Sequence, residues 1–327
     1  GGTQNAGIIA GGTANGGSPY FSATYHYDGS SWSAGGTMST AGGYQLGGGL
    51  QDDFIVGGRL TPSYVSNTER YNGTTWCTVT PQPYNTYLNQ SAPQSGGSNM
   101  LAFGGYTPSP SAGFSGRTLF YCETTDIDSS IPYCLGAWSG TVGLITARRS
   151  LGGAGTQNAA LAFGGETPSN LNNTEEFDGS SWSAGGAMII ARSTIAGAGT
   201  QNAGFAFSGT PNTTSTEEYG GSSWTAGGVM IVGRHRGDGA GTQNATLLAG
   251  GLTPTSVTCT EEYDGSSWST GGALIAANYD QAVVGTQNAG LSFGGGPSGQ
   301  TITEGYDGST WSLSNCMNNG RFQLMGL

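Results

Sequence analysis

Short apolar runs between glycine-rich turns recur along this chain with a period of about 44 residues. One block reads GTQNAALAFGG at residues 155–165, and related copies stand at 199–209, 241–251 and 285–295, with a truncated copy at 2–12. A second block reads TEEFDGSSW at 174–182, and its copies stand at 216–224, 260–268 and 303–311, with a degenerate copy at 68–76. A fixed period of this length predicts a repeat architecture.

Each unit predicts four short β-strands. The apolar run at 159–163 lies between turn residues, which is typical of a strand buried on both faces. Residues 175–183 predict a hairpin, with Asp178-Gly179 as a two-residue type I′ turn. Gln157-Asn158 predicts a second hairpin loop, and no segment has a convincing helical period of 3.6.

Seven tryptophans mark seven such units. Their spacings are 42 to 44 residues, except for 62 residues around the third unit. Four-stranded units at this period predict an all-β fold, a seven-bladed β-propeller forming one domain over residues 1–327. We expect the tryptophans to pack between neighbouring blades, and they are Trp32, Trp76, Trp138, Trp182, Trp224, Trp268 and Trp311.

The repeat resembles that of the kelch-repeat propellers. The resemblance consists of an apolar strand ending in Gly-Gly, then Glu-x-Tyr-Asp, then Trp about five residues later, and it covers nearly the whole chain. The repeat sequence GTQNAGLAFGG…TEEYDGSSWSAGG also resembles the repeats of kelch-like phage proteins that serve as virion structural or tail proteins. The resemblance implies blades of the kelch type and a place in a phage virion.

The end of the chain predicts how the ring closes. Met317 and Arg321 have the same four-residue offset as Met188 and Arg192, so the tail aligns with a first strand. We expect residues 321–327 to form the innermost strand of the blade whose other strands come from residues 2–34, because this pairing removes exposed sheet edges.

The third unit departs from the others through an insertion at 122–137. Cys122 and Cys134 flank this insertion and could lie at disulfide distance. Asp126 and Asp128 have the spacing that starts a calcium loop, but the downstream ligands are missing, which favours a solvated loop. The other three cysteines are predicted to be isolated packing residues, and they are Cys77, Cys259 and Cys316.

Composition narrows the possible partners. The chain has 9 basic residues, all Arg, against 20 acidic ones, and its net charge is −11. A nucleic-acid partner is therefore not expected, since phosphate binding needs clustered cations. No apolar run approaches the length of a membrane-spanning helix. The chain starts at Gly1 with neither an initiator Met nor a signal peptide, so we expect a processed chain or part of a longer protein.

The chain has few residues that could act in catalysis. We therefore predict a protein that is not an enzyme and has no cofactor or metal. The two histidines, His26 and His235, fall in different units and do not match the copper site of galactose oxidase, which shares the kelch-type propeller. Repeated carboxylates and arginines are predicted to form structural ion pairs or caps, and they are Glu69, Glu175, Glu217, Glu261, Glu304, Arg148, Arg192, Arg234 and Arg321.

The loops between the second and third strands vary most from unit to unit, and with the blade-to-blade crossovers they should share one face. Either neutral drift or a recognition surface would produce this variation. The aromatic residues that would bind a partner there are Tyr20, Phe21, Tyr64, Tyr106 and Phe114.

Three functions remain open at this point. The first is a non-enzymatic virion component, a decoration, fibre or tail-associated propeller in assembly or host attachment, whose partners are other virion proteins, copies of itself or a host surface glycan. The second is a secreted, glycan-binding lectin. The third and least favoured is an enzyme that uses a carboxylate pair.

Overall fold

The computed structural model describes most of the chain as β-strands joined by tight turns. The described residues are 2–3, 5–13, 19–43, 45–60, 63–83, 85, 90–91, 99–103, 106–107, 113–114, 118–123, 136–296, 299–317 and 320.

Six regular blades each contain four consecutive antiparallel strands in the order of the chain. Blades 1 and 2 comprise β1 (Gly2–Thr3), β2 (Ala6–Ala10), β3 (Thr24–Tyr27), β4 (Trp32–Ala34), β5 (Leu46–Leu50), β6 (Asp53–Leu60), β7 (Tyr64–Tyr71) and β8 (Trp76–Val79).

An irregular sheet follows blade 2. Its strands are β9 (Gln90–Ser91), β10 (Asn99–Phe103), β13 (Thr118–Glu123) and β14 (Gly136–Thr141), and a separate two-stranded hairpin is formed by β11 (Tyr106–Thr107) and β12 (Gly113–Phe114).

Blades 3 to 6 complete the described part of the chain. Blades 3 and 4 comprise β15 (Gly152–Thr156), β16 (Ala159–Phe163), β17 (Thr174–Phe177), β18 (Trp182–Ala184), β19 (Ala196–Thr200), β20 (Ala203–Phe207), β21 (Glu217–Tyr219) and β22 (Trp224–Ala226). Blades 5 and 6 comprise β23 (Asp238–Thr242), β24 (Ala245–Ala249), β25 (Thr260–Tyr263), β26 (Trp268–Thr270), β27 (Ala282–Thr286), β28 (Ala289–Phe293), β29 (Thr303–Tyr306) and β30 (Trp311–Leu313).

The chain is therefore an all-β β-propeller with four-stranded antiparallel blades, but the prediction of seven such blades is wrong. Six blades follow the regular pattern. The third repeat unit forms a sheet whose strands are not consecutive, because the inserted hairpin of β11 and β12 separates its second strand from its third. A period counted from tryptophans cannot reveal that one unit is interrupted in this way.

The predicted closing strand, residues 321–327, lies outside the described residues, so this closure stays a prediction. In the described part of blade 1, Gly2–Thr3 pairs with Gly7 and Ala6 of β2. Blade 1 then packs on blade 6 through one buried cluster that joins Ile9, Tyr25 and Tyr27 to Leu291, Phe293 and Met317.

The composition of each strand follows from its place in the blade. The second strand, such as Ala159–Phe163, is apolar because its last four residues are buried between the neighbouring blades. The first strand is rich in small residues because the innermost strands of adjacent blades come close together. A Cβ at Gly197 would lie 2.7 Å from the carbonyl oxygen of Gly153, so a larger residue would force blades 3 and 4 apart.

The hairpins that join third and fourth strands differ from the prediction in one detail. Phe177 pairs with Trp182, so the loop has four residues, and only Gly179 has a positive φ, at 93°. Asp178 closes this loop by accepting hydrogen bonds from the amides of Ser180 and Ser181, each at 2.8 Å. The turn is therefore built around the aspartate side chain and is not the two-residue type I′ turn. Gln157-Asn158 does form a two-residue loop, as predicted.

Candidate functional site

Three buried ion pairs fasten the crossovers to the blades. Arg148 pairs with Glu175, Arg192 with Glu217 and Arg234 with Glu261, and each side chain is at most 2% exposed. Burial lowers the pKa of Arg148 and Arg192, while the paired glutamates raise it. These are the structural ion pairs that the repeat predicts. Arg321 lies outside the described residues.

Each buried glutamate also accepts hydrogen bonds from two backbone amides of the crossover. Glu217, for example, accepts the amides of Ile189 at 2.6 Å and Ile190 at 3.2 Å. Glu304 accepts hydrogen bonds from the amides of Ile275 and Ala276 in the same way, but Asn278 stands where the three preceding crossovers have Arg. Burial raises the pKa of Glu304, whereas the two backbone hydrogen bonds lower it. The buried carboxylates therefore hold the crossovers to the blades.

Two further hydrogen bonds repeat between adjacent blades. The indole N–H of Trp224 donates to the hydroxyl of Thr174 in the preceding blade at 2.8 Å, and Trp32, Trp76 and Trp311 make the equivalent bond. The tryptophan rings lie between blades, as Trp182 does against Phe103, and the described side chains include all of them except Trp138.

The second repeated bond joins a tyrosine to the glutamate that follows the buried one. Tyr219 donates to Glu176, Tyr263 to Glu218 and Tyr306 to Glu262. Burial, followed by the hydrogen bond to the carboxylate, raises the pKa of Tyr263 and Tyr306 to about 12. These second glutamates occur in only three units, whereas the first occur in five, and their role was not predicted.

The seam between blade 6 and blade 1 breaks this pattern. Gly305 stands where the preceding three blades have Glu176, Glu218 and Glu262, and no described atom lies within 4 Å of the position of a Cβ there. The facing tyrosine, Tyr27, contacts the hydroxyl of Ser314 instead.

The outer strand of blade 6 departs from the repeat at the same place. Leu313, Ser314 and Asn315 replace the Ala-Gly-Gly that follows the tryptophan in blade 3. In blade 3 the second of those glycines, Gly186, is required because its Cβ would clash with the backbone carbonyl of Ser222 in the next blade. At the equivalent position blade 6 carries the exposed side chain of Asn315.

A groove of about 530 Å³ opens at this seam. Asn5, Gly29 and Ser30 contribute from blade 1, and Gly305, Asp307, Ser312, Leu313, Ser314 and Asn315 contribute from blade 6, with the buried Tyr27, Leu291 and Tyr306 behind them. The groove lies at the face that carries the first and third hairpin loops, which we call the hairpin face. Asp307 bears a negative charge, since the amide and side-chain hydrogen bonds of Thr310 and Ser309 lower its pKa to about 2.

The opposite face carries the loops between second and third strands and the crossovers, and we call it the variable face. The crossovers lie against those loops, as shown by the amide of Met188, which donates to the carbonyl of Asn172 at 2.8 Å. Tyr20 and Phe21 are half-buried there, where the backbone of Tyr20 bridges to Thr13.

The other three predicted binding aromatics are placed by their backbones only. Tyr106 and Phe114 are direct partners in the hairpin of β11 and β12, and Tyr64 pairs with Leu60. Their side chains lie outside the described residues, so a shared aromatic patch stays a prediction.

The structure adds a feature that the sequence analysis missed on the variable face. Four crossovers in succession expose an isoleucine at the same position, and the exposed fractions are 62% for Ile145, 58% for Ile189, 53% for Ile231 and 53% for Ile275. We call this set the isoleucine arc. The signal was present in the sequence, because each isoleucine directly follows the buried Leu or Met of its crossover.

The cysteines differ from the prediction in one respect. Cys77, which was expected to be an isolated packing residue, is disulfide-bonded, whereas Cys259 and Cys316 are free. Cys122 is placed by its backbone opposite Ala137, but its side chain lies outside the described residues, as does all of Cys134. Residues 124–133, which include Asp126 and Asp128, lie outside the described residues too.

Among the described residues, no group of three or more His, Cys, Asp or Glu side chains is placed to hold a metal ion. The same part of the chain contains no helix that is long and apolar enough to cross a membrane.

Comparison with family models gives no match, and comparison with curated proteins gives none either. The propeller with four-stranded blades is a property of the structure, and the likeness to kelch and phage proteins is carried by the repeat motif alone.

Proposed function

We propose that this chain is a non-enzymatic docking propeller of a phage virion, acting in assembly or host attachment through its variable face. The isoleucine arc is the observation that carries the proposal. Four side chains that are each more than half exposed lie at the same position of successive crossovers, so one face presents apolar side chains in a repeated pattern. A repeated arc suits a broad protein surface, such as another virion protein or a second copy of the chain.

The ionisable groups named below are occupied by structural contacts, and this supports a binding role over a catalytic one. The buried carboxylates Glu175, Glu217 and Glu261 are paired with arginines and accept crossover amides, so their charge is neutralised inside the blades. The aspartate of each Asp-Gly hairpin, such as Asp178, is occupied by its own loop. The virion assignment itself rests on the resemblance of the repeat to phage proteins.

The first experiment tests the arc. Ile145, Ile189, Ile231 and Ile275 are replaced together by Ser, and co-purification with particle proteins from phage-infected cells is followed by mass spectrometry. We expect the association to be lost while the melting temperature changes little, because the replaced side chains are exposed. Retained association would refute docking through the arc.

A matched variant tests the predicted aromatics on the same face. Replacing Tyr64, Tyr106 and Phe114 together by Ser is expected to weaken the same association without unfolding the protein. If the protein unfolds instead, these aromatics are core residues. If the chain never co-purifies with particle proteins, the virion proposal is wrong.

A further inference from the structure

We propose that the groove between blade 6 and blade 1 is a binding site for a neutral saccharide unit. The proposal starts from where the repeat is broken. Gly305, Leu313, Ser314 and Asn315 each differ from the residue at the equivalent position of blade 3, and all four line the same groove. Together they line one open groove between the two blades.

The charge of the groove selects the ligand class. Asp307 keeps its negative charge down to a pH of about 2, and none of the described residues that line the groove is a Lys, Arg or His. An anion such as a phosphate or a sialic acid would meet repulsion without a compensating cation. A neutral ligand rich in hydroxyls avoids this repulsion.

The polar and apolar groups of the groove fit such a ligand. Asn5 and Asn315 are exposed amides on opposite sides of the seam, and an amide can donate to one hydroxyl while it accepts from its neighbour. Leu313 is 62% exposed, so it offers an apolar surface to the C–H face of a sugar ring. The volume of about 530 Å³ lies within the range of about 300–1,000 Å³ for small-ligand sites.

The site is independent of the proposed docking function. It lies on the hairpin face, opposite the isoleucine arc, so a virion protein could dock by one face and bind a glycan by the other. The saccharide site would hold equally for a secreted lectin. Loss of saccharide binding and loss of particle association are therefore separate results.

The structure supplies a variant that fills the groove. Gly305→Glu places a carboxylate where Glu176, Glu218 and Glu262 stand in the other blades, opposite the hydroxyl of Tyr27. Because the space at Gly305 is open, we expect the variant to fold and to keep or raise its melting temperature. Thr225→Glu is the matched control, since it adds the same charge to an exposed position of the outer strand of blade 4.

The experiment measures saturation-transfer NMR of the full chain with a panel of neutral mono- and disaccharides, with glucuronate and sialic acid as anionic probes. We expect at least one neutral sugar to bind, at least a tenfold loss of affinity in G305E, and an unchanged affinity in T225E. Binding that survives in G305E would place the sugar elsewhere and overturn the proposal. Absence of binding across the neutral panel, or preference for the anionic probes, would overturn it as well.

Discussion

Replacing Arg192 by Asn tests whether the buried ion pairs are needed for stability. The chain suggests this substitution itself, since Asn278 occupies the equivalent position of the crossover before blade 6. Arg192 is fully buried, lies 3.1 Å from Glu217, and donates to the carbonyl oxygens of Ser208, Ser215 and Ala206. The variant leaves Glu217 buried with only two crossover amides as partners.

The expected loss is about 4 kcal/mol, because removing one member of a buried pair leaves an uncompensated charge and typically costs about 3–5 kcal/mol. Since domains unfold with only about 5–15 kcal/mol, this is a large part of the total. For a chain of 327 residues it corresponds to a decrease of about 6 °C in melting temperature, since the entropy of unfolding is about 2.1 cal/mol/K per residue. The double variant R192N/E217Q is expected to recover part of the loss, since it removes the charge as well as its partner.

The assay is urea unfolding followed by tryptophan fluorescence, repeated between pH 4 and pH 8. R192N reproduces the arrangement around Glu304, whose crossover has Asn in place of Arg and whose pKa is raised by burial. The folded state would then hold the proton more tightly than the unfolded state, so the free energy of unfolding falls as the pH rises from the unfolded pKa to the folded one. We therefore expect R192N to be less destabilised at pH 4 than at pH 8.

Two results would refute this reasoning. One is a loss below about 1 kcal/mol, the size expected of an exposed pair. The other is a loss that is equal at pH 4 and pH 8 and is not reduced by the second substitution E217Q. Either would mean that the buried carboxylate is solvated or protonated regardless of its arginine.

Two more predictions follow from unusual positions of the chain. Because burial raises the pKa of Glu304, stability should fall as the pH rises through that pKa, and Glu304→Gln should raise the melting temperature at pH 8 but not at pH 4; an equal effect at both pH values would contradict this. Since Cys77 is disulfide-bonded and the only other described thiols are free, peptide mapping without reduction should link Cys77 to Cys122 or Cys134, whereas a link between the latter two would contradict it.

The regular part of the fold could be predicted because it is repeated. The apolar run Ala159–Phe163 and the two-residue loop Gln157-Asn158 appear in the structure as a strand and a hairpin. Their local chemistry is enough, since a run buried on both faces and a tight turn need no information from distant residues. Repetition also indicated that the glutamate and arginine sets are structural.

The remainder depends on departures from the repeat. The closing strand inferred from the offset of Met317 and Arg321 stays a prediction, because residues 321–327 lie outside the described residues. The groove was missed because Gly305 and Ser314 are unremarkable as single residues. Their role depends on the ring, which places them opposite Tyr27, about 280 residues earlier in the chain.

The seam between blades 6 and 1 is the place where a bound ligand would hold the ring closed. Each blade is held chiefly by its two neighbours, so cooperativity passes from seam to seam around the ring, and local opening should begin where the coupling is weakest. The seam at Gly305 lacks the tyrosine–glutamate bond, and no described atom lies within 4 Å of the position of a Cβ at Gly305. A ligand seated there would touch both blades at once, so its binding energy would appear as resistance of the whole ring to opening, by about 2.7 kcal/mol at a hundred times its dissociation constant.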